Sequence, residues 1–276
     1  MYKVNVLILT FSCPSLSITS GEKYLNLSVA NTNMLSLFEY NQLIMRFLFK
    51  KTILFVVLLF VMSAARGQVR LDFRAGVNYS TVTAKLEEGG KASTSYVPGI
   101  YLGLSPHIQF SDRFALQPAV IFAQRGYKSK DGGMVGWGKD FRAHISYWEF
   151  PIDLVYTHRI RNGDLMLGLG PFIGFTSKGK WRTSEEALIG DIAIGDEGDI
   201  IFQEDASDNV PMGTYVLRKS LDYGAHLRAS YLFKSRYIVG LDFQQGFVNL
   251  APKWGDHVTG NTTRNHSMAL SIGYRL

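Results

Sequence analysis

The stretch Ala143–Tyr156, AHISYWEFPIDLVY, decides the fold. Read with a period of two, Trp148, Phe150, Ile152, Leu154 and Tyr156 share one face, and Tyr147, Glu149, Pro151, Asp153 and Val155 share the other. Successive strand residues point to opposite sides, so this is a ribbon with one apolar, aromatic-ended face and one face carrying two carboxylates. In a soluble sandwich the apolar face would be core and the charged face would meet water. In a transmembrane barrel the apolar face meets lipid and the carboxylates point into the lumen.

The N-terminal part favours the membrane. Met45–Lys51 (MRFLFKK) is basic, Thr52–Ala64 (TILFVVLLFVMSA) is apolar, and Ala65-Arg66-Gly67 supplies small residues before Gln68. That layout is a secretory signal peptide, expected over 45–67. The apolar run is shorter than the ~20 residues of a membrane anchor, the other reading. Residues 1–44 are Ser/Asn/Leu-rich, lack a clear period and hold the single cysteine, Cys13. They are expected to be an upstream start-site artefact, with a genuine disordered extension as the alternative.

The mature chain then runs from Gln68 to Leu276, 276 − 67 = 209 residues, a length that suits one domain. It contains no cysteine, which excludes disulfides, thiolate metal sites and thiol catalysis. The whole chain has a formal net charge of +6, but six of the 29 Lys+Arg and two of the 23 Asp+Glu precede Gln68. The mature part is therefore 23 − 21 = +2, and no nucleic-acid reading follows from the charge. No apolar run after Gln68 is long enough for a helical span, so insertion must be by strands.

Alternation recurs along the chain. Arg70–Ser80 sets Leu71, Phe73, Ala75, Val77 and Tyr79 against Arg70, Asp72, Arg74, Gly76 and Asn78. Val97–Phe110 and Phe114–Tyr127 follow, joined by the tight turn Ser111-Asp112-Arg113, and then a Gly-rich, charged loop over Lys128–Arg142. The opening stretch is the fourth strand; Asn162-Gly163 gives a hairpin signal before the fifth, Leu165–Thr176. A long acidic connection, Ser177–Leu217, leads to Ser220–Phe233, Tyr237–Leu250 and Asn265–Leu276. The reading is all-β with eight strands, and the connections alternate long and short. An antiparallel up-and-down transmembrane β-barrel sorts its loops this way, with short periplasmic turns and long outside loops.

The inward faces collect Arg70, Asp72, Arg74, Glu149, Asp153, Asp222, His226, Arg228, Asp242 and Arg275. Buried charge is tolerable only when paired and hydrogen-bonded, and the interior of an eight-stranded barrel is filled by side chains. A plugged lumen is expected, with this polar network closing it. Pro106, Pro118, Pro151 and Pro171 count against the strands that contain them, since each removes a ladder hydrogen bond.

Several stretches together resemble the PorT-type single-domain outer-membrane β-barrel family, often described as the porin family. They are Phe73-Arg74-Ala75-Gly76-Val77-Asn78, Phe114-Ala115-Leu116-Gln117-Pro118, Tyr147-Trp148-Glu149-Phe150-Pro151, Gly168-Leu169-Gly170-Pro171-Phe172 and Ile272-Gly273-Tyr274. The resemblance covers 68–276 and absorbs every strand proline except Pro106. It implies an outer-membrane location in a Gram-negative cell envelope. Leu276 departs from the aromatic residue that usually ends such barrels. Most relatives have no assigned activity, so no secretion role is carried over.

Three groups of residues invite a functional reading. His144-x-Ser146 places a base and a nucleophile on one strand face, and resembles the arrangement of outer-membrane lipid A deacylases. Without an orienting carboxylate on that face, two polar residues at the membrane rim are the plainer reading. The 177–217 loop carries three Lys/Arg against nine Asp/Glu. Its Asp191, Asp196, Glu197, Asp199, Glu204 and Asp205 offer oxygens suited to a hard cation, but their spacing fits no calcium motif and a solvated mobile loop is expected, although Ile189–Ile201 alternates enough to extend a hairpin above the membrane. Trp148, Tyr156, Tyr223, Tyr231, Tyr237 and Tyr274 suit the aromatic girdles of both interfaces. The expected protein is a non-enzymatic, monomeric outer-membrane barrel without cofactor or metal. Its partners would be outer-membrane lipid and lipopolysaccharide, the barrel-assembly machinery, and a protein met at the outside loops. A lipid hydrolase and a narrow solute channel are the alternatives.

Overall fold

Alternating segments become strands throughout the computed structural model, which describes residues 69–87, 89–130, 135–189, 191–207, 209–255 and 260–276. The signal peptide expected over 45–67 and the segment before it lie outside these residues. In chain order the strands are β1 (Val69–Lys85), β2 (Thr94–Ser95), β3 (Val97–Gln109), β4 (Phe114–Pro118), β5 (Val120–Ser129) and β6 (Phe141–Ile160). They continue as β7 (Gly163–Ile189), β8 (Ile192–Phe202), β9 (Tyr215–Leu217), β10 (Leu221–Phe233), β11 (Tyr237–Gly246) and β12 (Thr262–Arg275).

The ladder closes on itself. β1 pairs β3, β3 pairs β4 and β5, and both of these pair β6. From β6 the ring continues through β7, β10, β11 and β12 back to β1, all antiparallel. Closure leaves no free edge, which is what lets strands cross a hydrocarbon layer. The described strands outnumber the eight read from sequence because β2, β8 and β9 lie outside the ring and one wall strand is divided.

That division explains the proline left unaccounted for. Ile108 faces Leu116 and Leu104 faces Val120, so the register runs unbroken and puts Pro106 opposite Pro118. Neither can donate to the ladder, and it lapses between β4 and β5. Ala119 still donates its N–H to the Pro151 carbonyl at 2.9 Å, holding the divided strand to β6.

The turn chemistry also differs in detail from the sequence expectation. Ile160 pairs Gly163, so the β6–β7 hairpin turns on Arg161-Asn162 and Gly163 begins the next strand. A Cβ at Gly163 would lie 2.2 Å from the Leu232 carbonyl oxygen, so it serves close strand approach rather than turn geometry. The β10–β11 turn instead takes the left-handed region at Lys234 (φ 48°) and Ser235 (φ 57°), the twist a tight hairpin favours.

Wall side chains are apolar outside. Val69, Phe73, Val77 and Tyr79 of β1 are exposed, as are Trp148, Phe150, Ile152 and Leu154 of β6. From Val69 to Tyr79 at about 3.3 Å per residue and a tilt near 40°, this belt is about 25 Å tall, the height of a hydrocarbon core. Above it the polarity inverts without any break in alternation. On β6 the outward residues change from Trp148 to Ser146, His144 and Arg142, while the inward ones change from Glu149 to Tyr147, Ile145, Ala143 and Phe141. A strand wet outside needs an apolar inner face, so the barrel continues beyond the membrane as an ordinary hydrophobic core.

This corrects the loop assignments. β5 and β6 extend into Lys128–Arg142, and β7 runs unbroken to Ile189. The acidic 177–217 connection is therefore a hairpin of β7 with β8, closed by β9, rather than a mobile loop.

Candidate functional site

Inward-facing positions fill the lumen with three layers of paired charge. Nearest the periplasmic turns, Arg275 grips Asp72 through Nε (2.6 Å) and Nη2 (2.8 Å). Gln117 donates to the same carboxylate at 2.8 Å, and Arg74 stands 3.7 Å from it. In the middle, Arg228 Nε donates to Asp242 at 2.6 Å and Nη1 lies 3.3 Å from Asp153. His226 faces Asp153 through Nδ1 (2.8 Å) and Asp242 through Nε2 (3.1 Å), so each ring nitrogen meets a carboxylate. Toward the outside, Arg125 pairs Glu149, and Asn265 donates to Tyr147 Oη (2.9 Å) and Asp222 (3.2 Å).

The buried Asp72, Arg74, Glu149, Asp153, Asp222, His226, Arg228, Asp242 and Arg275 thus lie inside the barrel. Arg70 is half-buried and lines a polar vestibule of about 450 Å³ at the periplasmic mouth with His107, Asp112, Arg159 and Asp164. Sequence reading left Arg125, Gln117, Tyr101 and Asn265 out of the network. Strand parity was the available signal, since Arg125 and Gln117 alternate with the apolar face of their strand.

Above the charge layers the lumen is stoppered by rings. Trp181 is completely buried, stacked on Phe141 at 5.9 Å and edge-on to Trp137 at 5.1 Å. Phe141 meets Tyr215 at 5.0 Å, Tyr127 Oη donates to Tyr215 Oη at 3.2 Å, and Trp181 Nε1 donates to the Gly213 carbonyl at 2.9 Å. Burial pushes the Tyr215 phenol up to about 12, so it stays a neutral packing group. Outside this stopper a cup of about 430 Å³ opens, lined by Trp137, Val210, Met212, Tyr215, Pro252 and Trp254 among others; none of the described residues that line it is charged.

The acidic residues of the hairpin are dispersed. Glu197 pairs Arg182 at 2.8 Å, Glu204 pairs Arg218 at 2.9 Å and Lys253 at 3.5 Å, and Asp199 stands opposite Lys180 in register. Asp205 accepts from the Ser207 and Gly255 N–H groups, each at 2.9 Å. Asp191 lies in the exposed β7–β8 turn, and the Asp196 carbonyl accepts from Thr183 Oγ1 at 3.2 Å. Hydrogen bonding to Arg218 and Lys253 lowers the Glu204 pKa, and the Gly255 and Ser207 donors lower that of Asp205. Among the described residues no three His, Cys, Asp or Glu side chains gather as a metal site would require.

His144 and Ser146 share the outward face of β6, above Trp148. His144 lies opposite Lys180 and Ser146 opposite Lys178. Partial burial and the Arg142 and Arg182 charges lower the His144 pKa. The charges beside this pair are therefore cations, whereas a catalytic base would be oriented by a carboxylate.

The six girdle candidates divide between two levels. Trp148 packs on Phe122 at 5.3 Å, and Tyr223 lies opposite Ile173 in the row of Phe150, two residues along the strand from the row of Trp148, toward the outer edge of the belt. Tyr156 meets Phe114 at 5.5 Å, Tyr237 meets Tyr274 at 5.8 Å, and Tyr231 lies opposite Leu165 near the periplasmic turns.

No curated protein sequence matches the chain. Among solved structures it is similar to Ail, the attachment invasion locus protein of Yersinia pestis, at 12% identity and a TM-score of 0.35, covering 75% of this chain and 99% of that one. OprG of Pseudomonas aeruginosa is similar at 14% identity and a TM-score of 0.39, covering 76% and 97%. Neisserial surface protein A is similar at 13% identity and a TM-score of 0.36, covering 75% and 96%. A family model described as "Outer membrane protein beta-barrel domain" matches residues 63–251, most of the chain. The chain belongs to that outer membrane β-barrel family.

Proposed function

We propose that this protein is a non-enzymatic, eight-stranded barrel of PorT type in a Gram-negative outer membrane, exported by the signal peptide over 45–67, monomeric, and acting through what its outside surface binds. The observation that carries this reading is the filled lumen: paired charges across the membrane segment and an aromatic stopper above them. An interior filled by side chains in this way favours a closed barrel over a transport pore. The aromatic-lined cup beyond the stopper and the long β7–β8 hairpin then offer surface for a partner, in an envelope-structural or secretion-associated role.

Single-channel recording of the purified protein in planar bilayers tests this. No stable conductance is expected. A steady open level would overturn the reading in favour of a narrow channel. The hydrolase alternative rests on His144 and Ser146, whose cationic surroundings do not favour it. Ser146→Ala is expected to leave lipid A acylation unchanged in cells.

A further inference from the structure

We infer that the outward face of β6 and β7, just above the apolar belt, is a binding site for the phosphorylated headgroup of an outer-leaflet glycolipid. The inference rests on the outer-membrane reading and adds a site and a ligand class to it. Four cations are brought together by strand pairing: Arg142 lies opposite Arg182, His144 opposite Lys180, and Ser146 opposite Lys178. All four cations are exposed. Like charges directly across a ladder repel, so this arrangement favours an anion held between them.

Nearby carboxylates neutralise only part of the patch. Glu197 takes Arg182 at 2.8 Å, and Asp140 takes Lys128 at 2.7 Å. Asp199 is opposite Lys180 but forms no ion pair with it, and among the described residues Arg142, Lys178 and Lys180 form none. A groove of about 490 Å³ adjoins the two lysines, with Ile201, Phe202 and Ser220 on its wall and the Asp199 carboxylate also lining it. Two lysines outweigh that one carboxylate, so the groove still suits a phosphate with apolar carbons beside it.

Position favours a lipid over a soluble anion. Trp148 and Phe175 pair across β6 and β7 at the outer edge of the belt. Lys178 is three residues beyond Phe175, about 10 Å along the strand. A lipid whose chains lie against Phe150, Ile173 and Phe175 therefore brings its headgroup to these cations without leaving the bilayer.

The test uses the protein recovered from its membrane in detergent and followed by native mass spectrometry. The probes are diphosphoryl lipid A, its dephosphorylated form and inorganic phosphate. The variants are the double Lys178→Gln/Lys180→Gln and, as a control at the opposite mouth, Lys234→Gln. A basic side chain near an anionic surface contributes about five- to sixfold in affinity, so the double variant is expected to hold the diphosphoryl lipid about thirtyfold more weakly. The control is expected to bind like the parent.

Equal binding by the double variant, or equal retention of the dephosphorylated lipid, would overturn the site. Displacement by a few millimolar inorganic phosphate would make it a small-anion site instead. If the double variant gives no heat-shifted folded band, Arg142→Gln replaces it, with severalfold weakening expected and no change overturning the proposal. Bilayer conductance is independent of these readouts, so a failure of the closed-lumen reading would be seen separately.

Discussion

Asp72 should be the most costly single residue to remove from the periplasmic layer, and more costly than the arginine that grips it. Its carboxylate accepts two bonds from Arg275, at 2.6 and 2.8 Å, and one from Gln117 at 2.8 Å, with Arg74 at 3.7 Å. Asp72→Ala leaves two buried guanidinium groups without this anion. Breaking a buried pair from one side costs about 3–5 kcal/mol. Arg275→Met differs, because Asp72 keeps Gln117 and Arg74; the loss is about 1–3 kcal/mol. The double variant removes both members, so it should be less destabilised than the sum of the singles by about 2 kcal/mol. Reversible urea unfolding in lipid vesicles, followed by tryptophan fluorescence, measures all three. Equal costs for the two singles, or additivity within about 0.5 kcal/mol, would refute the view of Asp72 as the hub of a charge layer.

Other elements give separate tests. Trp181→Ala removes the centre of the stopper and should cost about 3–5 kcal/mol, read as faster amide exchange in residues 135–145 and 179–187 while the membrane belt stays protected. Gly170→Ala should abolish the heat-shifted folded band, because its Cβ would meet the Ile152 carbonyl oxygen at 1.9 Å; Gly168→Ala, whose nearest contact is 3.4 Å, should still fold. Glu204 has a lowered pKa, so its contacts with Arg218 and Lys253 stabilise above the ordinary value of 4.5 and fade as pH falls through the folded value. Amide protection factors near residues 202–205 and 215–218, corrected for the intrinsic slowing of exchange in acid, should therefore fall on acidification from pH 6 to pH 3, and Glu204→Gln should show the low protection already at pH 7.

Strand parity is a local property, and the sequence carried it in full. In AHISYWEFPIDLVY the side-chain period alone separates Trp148 and Phe150 from Glu149 and Asp153, and lipid outside with charge inside follows from it. The order of long and short connections supplied the expected direction of the chain through the membrane. Which charges meet is not local: Asp72 and Arg275 stand near the two ends of the barrel chain and become partners only because β1 closes against β12. The same holds for Pro106 and Pro118, which explain each other only once β3 and β4 are in register. The inversion at Tyr147 and Trp148 is present in the residues, but side-chain period alone describes a single ribbon in one medium. Recognising that the inner face becomes apolar above the membrane needs Trp181, Phe141 and Tyr215 in contact, and these come from three strands. Pairing across a closed sheet is a long-range property, and only the tertiary structure decided it.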